Sequence, residues 1–189
     1  MMTTFNINFS KTALVLIDLQ KGIVAMPGGN EVVQKAEKLV QLFRENEGFI
    51  SFVKVDFHDG KDALQPALDN QAARSSGDRP KDWAVLDPRL NVTENDYVVT
   101  KRQWGAFFGT DLDIQLRRRG VETIVLCGIS TNIGVESTAR EAYQLGYNQI
   151  FITDAMTAFS QEEHEMSVRF IFPRIGRLRT TAEFLEQVR

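Results

Sequence analysis

The chain has 189 residues, 43% of them hydrophobic and 25% charged, which points to one domain with a real apolar core. Its net charge of −3 and lack of a basic face beyond Arg117-Arg118-Arg119 argue against a nucleic-acid partner. One cysteine, Cys127, excludes an intrachain disulfide, and no apolar run is long enough for a membrane span.

The first element is the run Thr12 to Ile17, short, continuously apolar and partly β-branched, as expected of a strand buried on both faces of a parallel sheet. Before it, Met1 to Ser10 shows no charged start followed by an apolar stretch, so no secretory signal is expected and a cytoplasmic location is. From Glu31 to Glu47 apolar residues recur with helical period, and Gly48 is the expected C-cap. A second strand is expected over Phe49 to Val55 and a third over Tyr97 to Thr100. Between them, residues 60–95 are polar and hold Trp83. An excursion that long suggests a lid or binding loop within a single domain spanning residues 1–189.

Thr110 can cap a helix that runs to Arg119 and ends at Gly120. Thr123 to Cys127 reads as the fourth strand, followed by a helix capped by Thr131 and ending at Gly146. Gln149 to Thr153 and, more weakly, Ile175 to Arg179 complete the strands. Ser160 with Glu163, and Thr180 with Glu183, have capping-box spacing, and Pro173 is expected to stop the helix that begins at Ser160. Strands alternating with helices indicate an α/β fold, with a mostly parallel sheet covered on both faces.

In such sheets ligands bind at the carboxyl ends of the strands. Asp18 ends the first strand and Lys101 follows the third. A carboxylate left there is partly desolvated and needs a partner, which the ammonium can supply. Gly128 to Gly134 leads from the fourth strand into a helix whose free backbone N–H groups could face an oxyanion. Two unrelated strand-end charges and an ordinary crossover helix would leave the same traces.

Three blocks decide between these readings. Ala13-Leu-Val-Leu-Ile-Asp18-Leu-Gln20, Lys101-Arg-Gln-Trp-Gly-Ala-Phe-Phe-Gly-Thr-Asp111-Leu and Cys127-Gly-Ile-Ser-Thr-Asn-Ile-Gly-Val-Glu-Ser-Thr-Ala-Arg140 resemble, in order and spacing, the signature blocks of the isochorismatase-like (cysteine hydrolase) superfamily. The resemblance implies a Rossmann-like three-layer α/β/α fold, with a six-stranded sheet in the order 3-2-1-4-5-6. It implies a homodimer or larger homo-oligomer acting on a small molecule, while charge and hydropathy give no reason to expect nucleic acid or a membrane as partner. It also implies that Asp18 is the general base, Lys101 its charge-stabilising partner and Ile129-Ser130 a cis peptide that helps aim backbone amides at substrate.

The chain departs from the cysteine members at position 134, where glycine stands in place of the nucleophile. True isochorismatases also carry glycine there, but the preceding Ser130-Thr131-Asn132 differs from their aromatic-Ala-His segment, which argues against isochorismate as the substrate. Asp56-Phe57-His58 resembles the start of the nicotinamidase metal site. His164 is the one further histidine, so neither a metal site nor a cofactor is expected. The catalytic set is therefore Asp18, Lys101 and Gly134. Gln20, Trp104, Phe108, Ile129, Ser130, Thr131 and Asn132 are the expected substrate contacts. The activity expected is non-covalent hydrolysis by an Asp/Lys acid–base pair with water as nucleophile. The competing readings are an inactive ligand-binding member of the same fold and, at much lower weight, chemistry at Cys127.

Overall fold

A computed structural model describes residues 7–70 and 79–188. Six strands, β1 (Thr12–Ile17), β2 (Phe49–Val55), β3 (Tyr97–Lys101), β4 (Thr123–Ile129), β5 (Asn148–Thr157) and β6 (Arg177–Arg179), form one sheet in the order β3-β2-β1-β4-β5-β6. All five pairings are parallel. Every residue of β1 is buried, as its unbroken apolar run requires.

Alternation along β1 sorts its side chains between two cores. Leu14 and Leu16 join α2 (Gly29–Glu45) and Phe184 of α7 (Thr181–Gln187) on one face. Ala13, Val15 and Ile17 join α3 (Leu112–Arg118), α4 (Glu136–Gln144) and Phe172 of α6 (Phe172–Ile175) on the other. A short α1 (Lys21–Val24) follows β1, and α5 (Gln161–Met166) follows β5. The three layers and the strand order are those implied by the sequence blocks.

Several boundaries differ from the sequence reading. Helix α2 ends at Glu45, and Glu47, with φ 54°, takes the left-handed position expected of Gly48. Thr131 does not cap α4. It opens a wide π-type turn, Thr131–Val135, that runs into the helix. Thr110 sits one residue outside the α3 N-cap, Asp111, and accepts from Leu112 N at 3.2 Å. Pro173 does not end its helical run. A second wide turn, Ser167–Ile171, resets the chain so that Pro173 falls in the first turn of α6, where a missing N–H costs nothing. Both expected capping boxes are formed.

Strands β4 and β5 extend further than expected because their register shifts between Leu126 and Gly128. Gly128, at φ 129°, lies so close to β1 that a Cβ would come within 2.2 Å of the Ile17 carbonyl oxygen. Asp154, one residue beyond the strand end expected at Thr153, is inside β5. Its carboxylate accepts from Thr181 N and Oγ1 at 2.6 and 2.8 Å and pairs with Lys35 at 3.0 Å, so it ties α7 and α2 together.

Candidate active site

The carboxyl ends of β1, β3 and β4 converge on one point. Asp18 leaves β1 with φ 54°, a left-handed conformation that aspartate tolerates better than most residues, while its N–H still donates to Val53 O at 2.9 Å. The turn swings its carboxylate towards β3, where Lys101 Nζ lies 2.8 Å from Oδ2. The two side chains, 7% and 1% exposed, form a buried ion pair. Lys101 also donates to the Trp104 carbonyl at 2.5 Å. Asp18 Oδ1 is buried with no hydrogen-bond partner among the described residues. Burial is the dominant influence on this carboxyl and pushes its pKa up to about 6 although Lys101 pulls it down.

Gly134 completes the group. A Cβ placed on it would stand 3.1 Å from Asp18 Oδ2, 3.2 Å from Lys101 Nζ and 3.0 Å from Ile17 Cγ2. Any side chain at this position would press on the pair. The backbone around it is anchored: Thr138 Oγ1 donates to Gly134 O at 2.7 Å and accepts from Ala106 N at 3.2 Å. Thr138 thus joins the turn after Lys101 to the helix after β4. Glu141 adds a second tie, accepting from Phe107 N at 3.0 Å, and its carboxylate fills the space beside Gly105. Sequence reasoning missed both residues. Their spacing, three apart on one helix face and opposite a glycine, was the available signal.

The expected contacts divide. The Ile129-Ser130 bond is cis, and Ile129, Ser130 and Thr131 are buried beside the pair's strand ends. Asn132 Oδ1 is buried and unpartnered among the described residues. Gln20 is not free for a ligand. It is fully buried, its Nε2 donates to Val55 O at 3.0 Å and Trp83 O at 3.3 Å, and its Oε1 accepts from Val55 N at 2.9 Å. Its role is to pin residues 83–87 of the long excursion to β2. Trp104 and Phe108 do not form a packed wall in the single chain: their rings are 63% and 75% exposed, whereas Phe107 is buried against α4 and Tyr147.

The excursion is tied down at Gly22 N, which donates to Trp83 O at 3.0 Å, and by a bridge between Gln20 and Leu86. Arg79 stacks over the rings of Phe57 and Trp83, 4.5 Å from each. Residues 71–78 of the expected lid lie outside the described residues.

The remaining candidates lie apart from the pair. Asp56 is bound to Lys54 at 3.0 Å, and His58 is exposed with its backbone held by Asp62. His164 bonds to Thr131. Cys127 is fully buried in the α2-side core, and burial pushes its thiol up to about 12, so its thiolate is scarce at neutral pH. A surface hollow of about 610 Å³ between α2 and residues 89–91 is lined mostly by charged side chains remote from the strand ends.

The isochorismatase domain model matches residues 12–183. The chain belongs to the isochorismatase family. It is 68% identical over 189 residues, covering 100% of both chains, to the uncharacterized isochorismatase family protein YwoC of Bacillus subtilis (strain 168). It is 47% identical over 184 residues, 95% of this chain and 97% of the other, to the uncharacterized family protein YecD of Escherichia coli O157:H7. Its backbone superposes on an isochorismatase family protein from Burkholderia thailandensis with TM-score 0.89 and 44% identity, over 94% of this chain and 95% of that one. Membership accounts for the six-stranded parallel sheet and its hydrolase-type architecture. No helix among the described residues is long and apolar enough to cross a membrane.

Proposed function

We propose that this family member hydrolyses a small metabolite without a covalent intermediate, using Asp18 for proton transfer, Lys101 as its electrostatic partner and water as the nucleophile. The observation that carries this reading is the position of Gly134. Its absent side chain would point at the Asp18–Lys101 pair, at 3.1 and 3.2 Å. That point lies within hydrogen-bond distance of both charges, which supports a water held there as the nucleophile in place of a side chain. Burial supplies the rest of the chemistry. With its pKa raised to about 6, the carboxyl is near the pH at which both its forms are accessible, as general acid–base catalysis requires. At neutral pH the ionised form predominates, so Asp18 takes a proton from water and then delivers it to the leaving group. Lys101 stays at hydrogen-bond distance and stabilises the negative charge that develops.

Ile129, Ser130, Thr131 and Asn132 are the residues we assign to substrate contact, because they carry the chain from the end of β4 into the first turn of the helical run that holds Gly134. The described part of the excursion, held by Gln20 and Trp83, serves as cover over the β1 and β2 ends. The exposed Trp104 and Phe108 rings are assigned to a subunit interface in a homo-oligomer. A screen of small amides and N-carbamoyl compounds, whose carbonyl carbon the activated water can attack with release of the amine, should find a turnover that Asp18→Asn removes. Full activity in Asp18→Asn would exclude this mechanism, and tight retention of an unchanged small molecule would favour a binding role.

A further inference from the structure

His164 has no part in the mechanism above, yet it is held by the segment that carries Gly134. Its Nδ1 lies 2.8 Å from the hydroxyl of Thr131, which is fully buried. The same two helical runs meet again where the Ser167 hydroxyl donates to Glu136 Oε2 at 2.5 Å. The Ser160–Glu163 capping box fixes the turn from which His164 projects.

Hydrogen-bond accounting sets the tautomer. The Thr131 hydroxyl has one partner among the described residues, His164 Nδ1. A buried O–H that donates to nothing costs about 1–3 kcal/mol, so the hydroxyl donates and Nδ1 accepts. The neutral ring then carries its proton on Nε2. Burial acts in the same direction, holding the His164 pKa below its usual value against the opposing charge of Glu165. The Nε2–H has no protein acceptor among the described residues. His164 lines an open surface hollow of about 240 Å³ together with Pro27, Gly28, Thr157, Phe159 and Ser160. This hollow is braced, because Thr157 Oγ1 donates to Pro27 O at 3.3 Å and Gly28, at φ 79°, lies against the same hydroxyl. His164 itself bonds to Thr131, one of the proposed substrate contacts, and so links the hollow to them.

We propose that this hollow is a subsite for the far end of the ligand, with His164 Nε2–H as its hydrogen-bond donor to a neutral carbonyl oxygen. The acceptor requirement follows from the tautomer. Neutrality follows from the company of the imidazole: Glu162, Glu163 and Glu165 share its helix and disfavour a carboxylate. Calling this end the far one rests on the hydrolase reading, whereas the donor and its subsite do not.

Long-range 1H–15N spectra of the full chain at pH 7.5 test this directly, with exposed His58 as the internal reference. The expected result is an Nε2–H tautomer for His164 and a saturable shift of that nitrogen on titration with 2-pyrrolidinone. Propionate at matched ionic strength should bind at least fivefold more weakly. Thr131→Val should mix the two tautomers and Thr131→Ser should restore one. Asp18→Asn should leave both the tautomer and the lactam titration unchanged, which separates this subsite from the proposed chemistry. A dominant Nδ1–H tautomer in the unmodified chain, no saturable lactam shift, or tighter binding of propionate would overturn the proposal. None of these three readings depends on a variant folding.

Discussion

Asp18 is subject to opposed influences, and their balance predicts how the protein responds to pH. Desolvation raises the carboxyl pKa to about 6, and the 2.8 Å contact with Lys101 limits the rise. Because the carboxyl titrates above its usual range, protonation removes the base as pH falls through about 6. The kcat/KM of a hydrolysed substrate should therefore be level above pH 7 and decline below 6. Asp18→Asn should lower it by about two to four orders of magnitude and abolish that limb. A 13C titration of the Asp18 carboxyl gives the same pKa without a substrate. A value near 4 would mean that the burial argument fails. Gly134→Ala tests the neighbouring claim. Its methyl would stand 3.0–3.2 Å from Ile17, Asp18 and Lys101, closer than packed groups accept. A loss of about 1–3 kcal/mol in urea denaturation is expected, with a shift in the Asp18 titration. Unchanged values for both would show that the pair has room to spare.

Among the elements, those specified by local chemistry were legible in the sequence. The run Thr12–Ile17 is a strand because only burial on both faces accommodates it, and in Phe49–Val55 the four residues from Ile50 to Val53 are buried in the same way. The boxes at Ser160 and Thr180 formed because each hydroxyl and glutamate satisfies the other's backbone N–H. Thr180→Ala should cost about 1 kcal/mol, read from the urea midpoint at constant slope. What remained hidden depends on partners distant in the chain. Gln20 looks like a free polar group after a strand, but its amide is consumed by Val55 and Trp83, 35 and 63 residues away. Gly22 gives no sign in sequence that Trp83 will lie on it, yet a Cβ there would fall 1.9 Å from the indole Cδ1. Gly22→Ala should therefore displace the Trp83 segment. In a Trp104→Phe background the remaining fluorescence should shift to the red. An unshifted spectrum would show that the excursion does not depend on this contact. Asp18 and Lys101 stand between the two cases. Strand-end position marked each of them, but only the sheet order places β3 and β1 so that the charges meet across β2.

At the scale of the molecule, the two cores are complete, and the apolar surface they leave over is unevenly placed. Isolated exposed leucines need no explanation. Trp104, Phe108, Phe159, Met166 and Phe170 are different: all are large and between 49% and 75% exposed in the single chain. Trp104 and Phe108 belong to the turn that begins at Lys101, and Phe159 lines the His164 hollow. Apolar side chains of this size, next to a functional segment, are expected to be covered. A second copy of the chain is the partner always present at the chain's own concentration. Sedimentation velocity at micromolar concentration should then give a dimer or larger. Phe108→Ser should weaken that association while leaving the Asp18 titration where it was, because the Phe108 ring touches neither charge and projects outward. Phe170→Ser asks the same of the α5–α6 run, whose inward side carries Ser167 and Phe172. A monomer at every concentration tested would return these aromatics to the solvent, and Trp104 and Phe108 would again need a role as walls for the ligand.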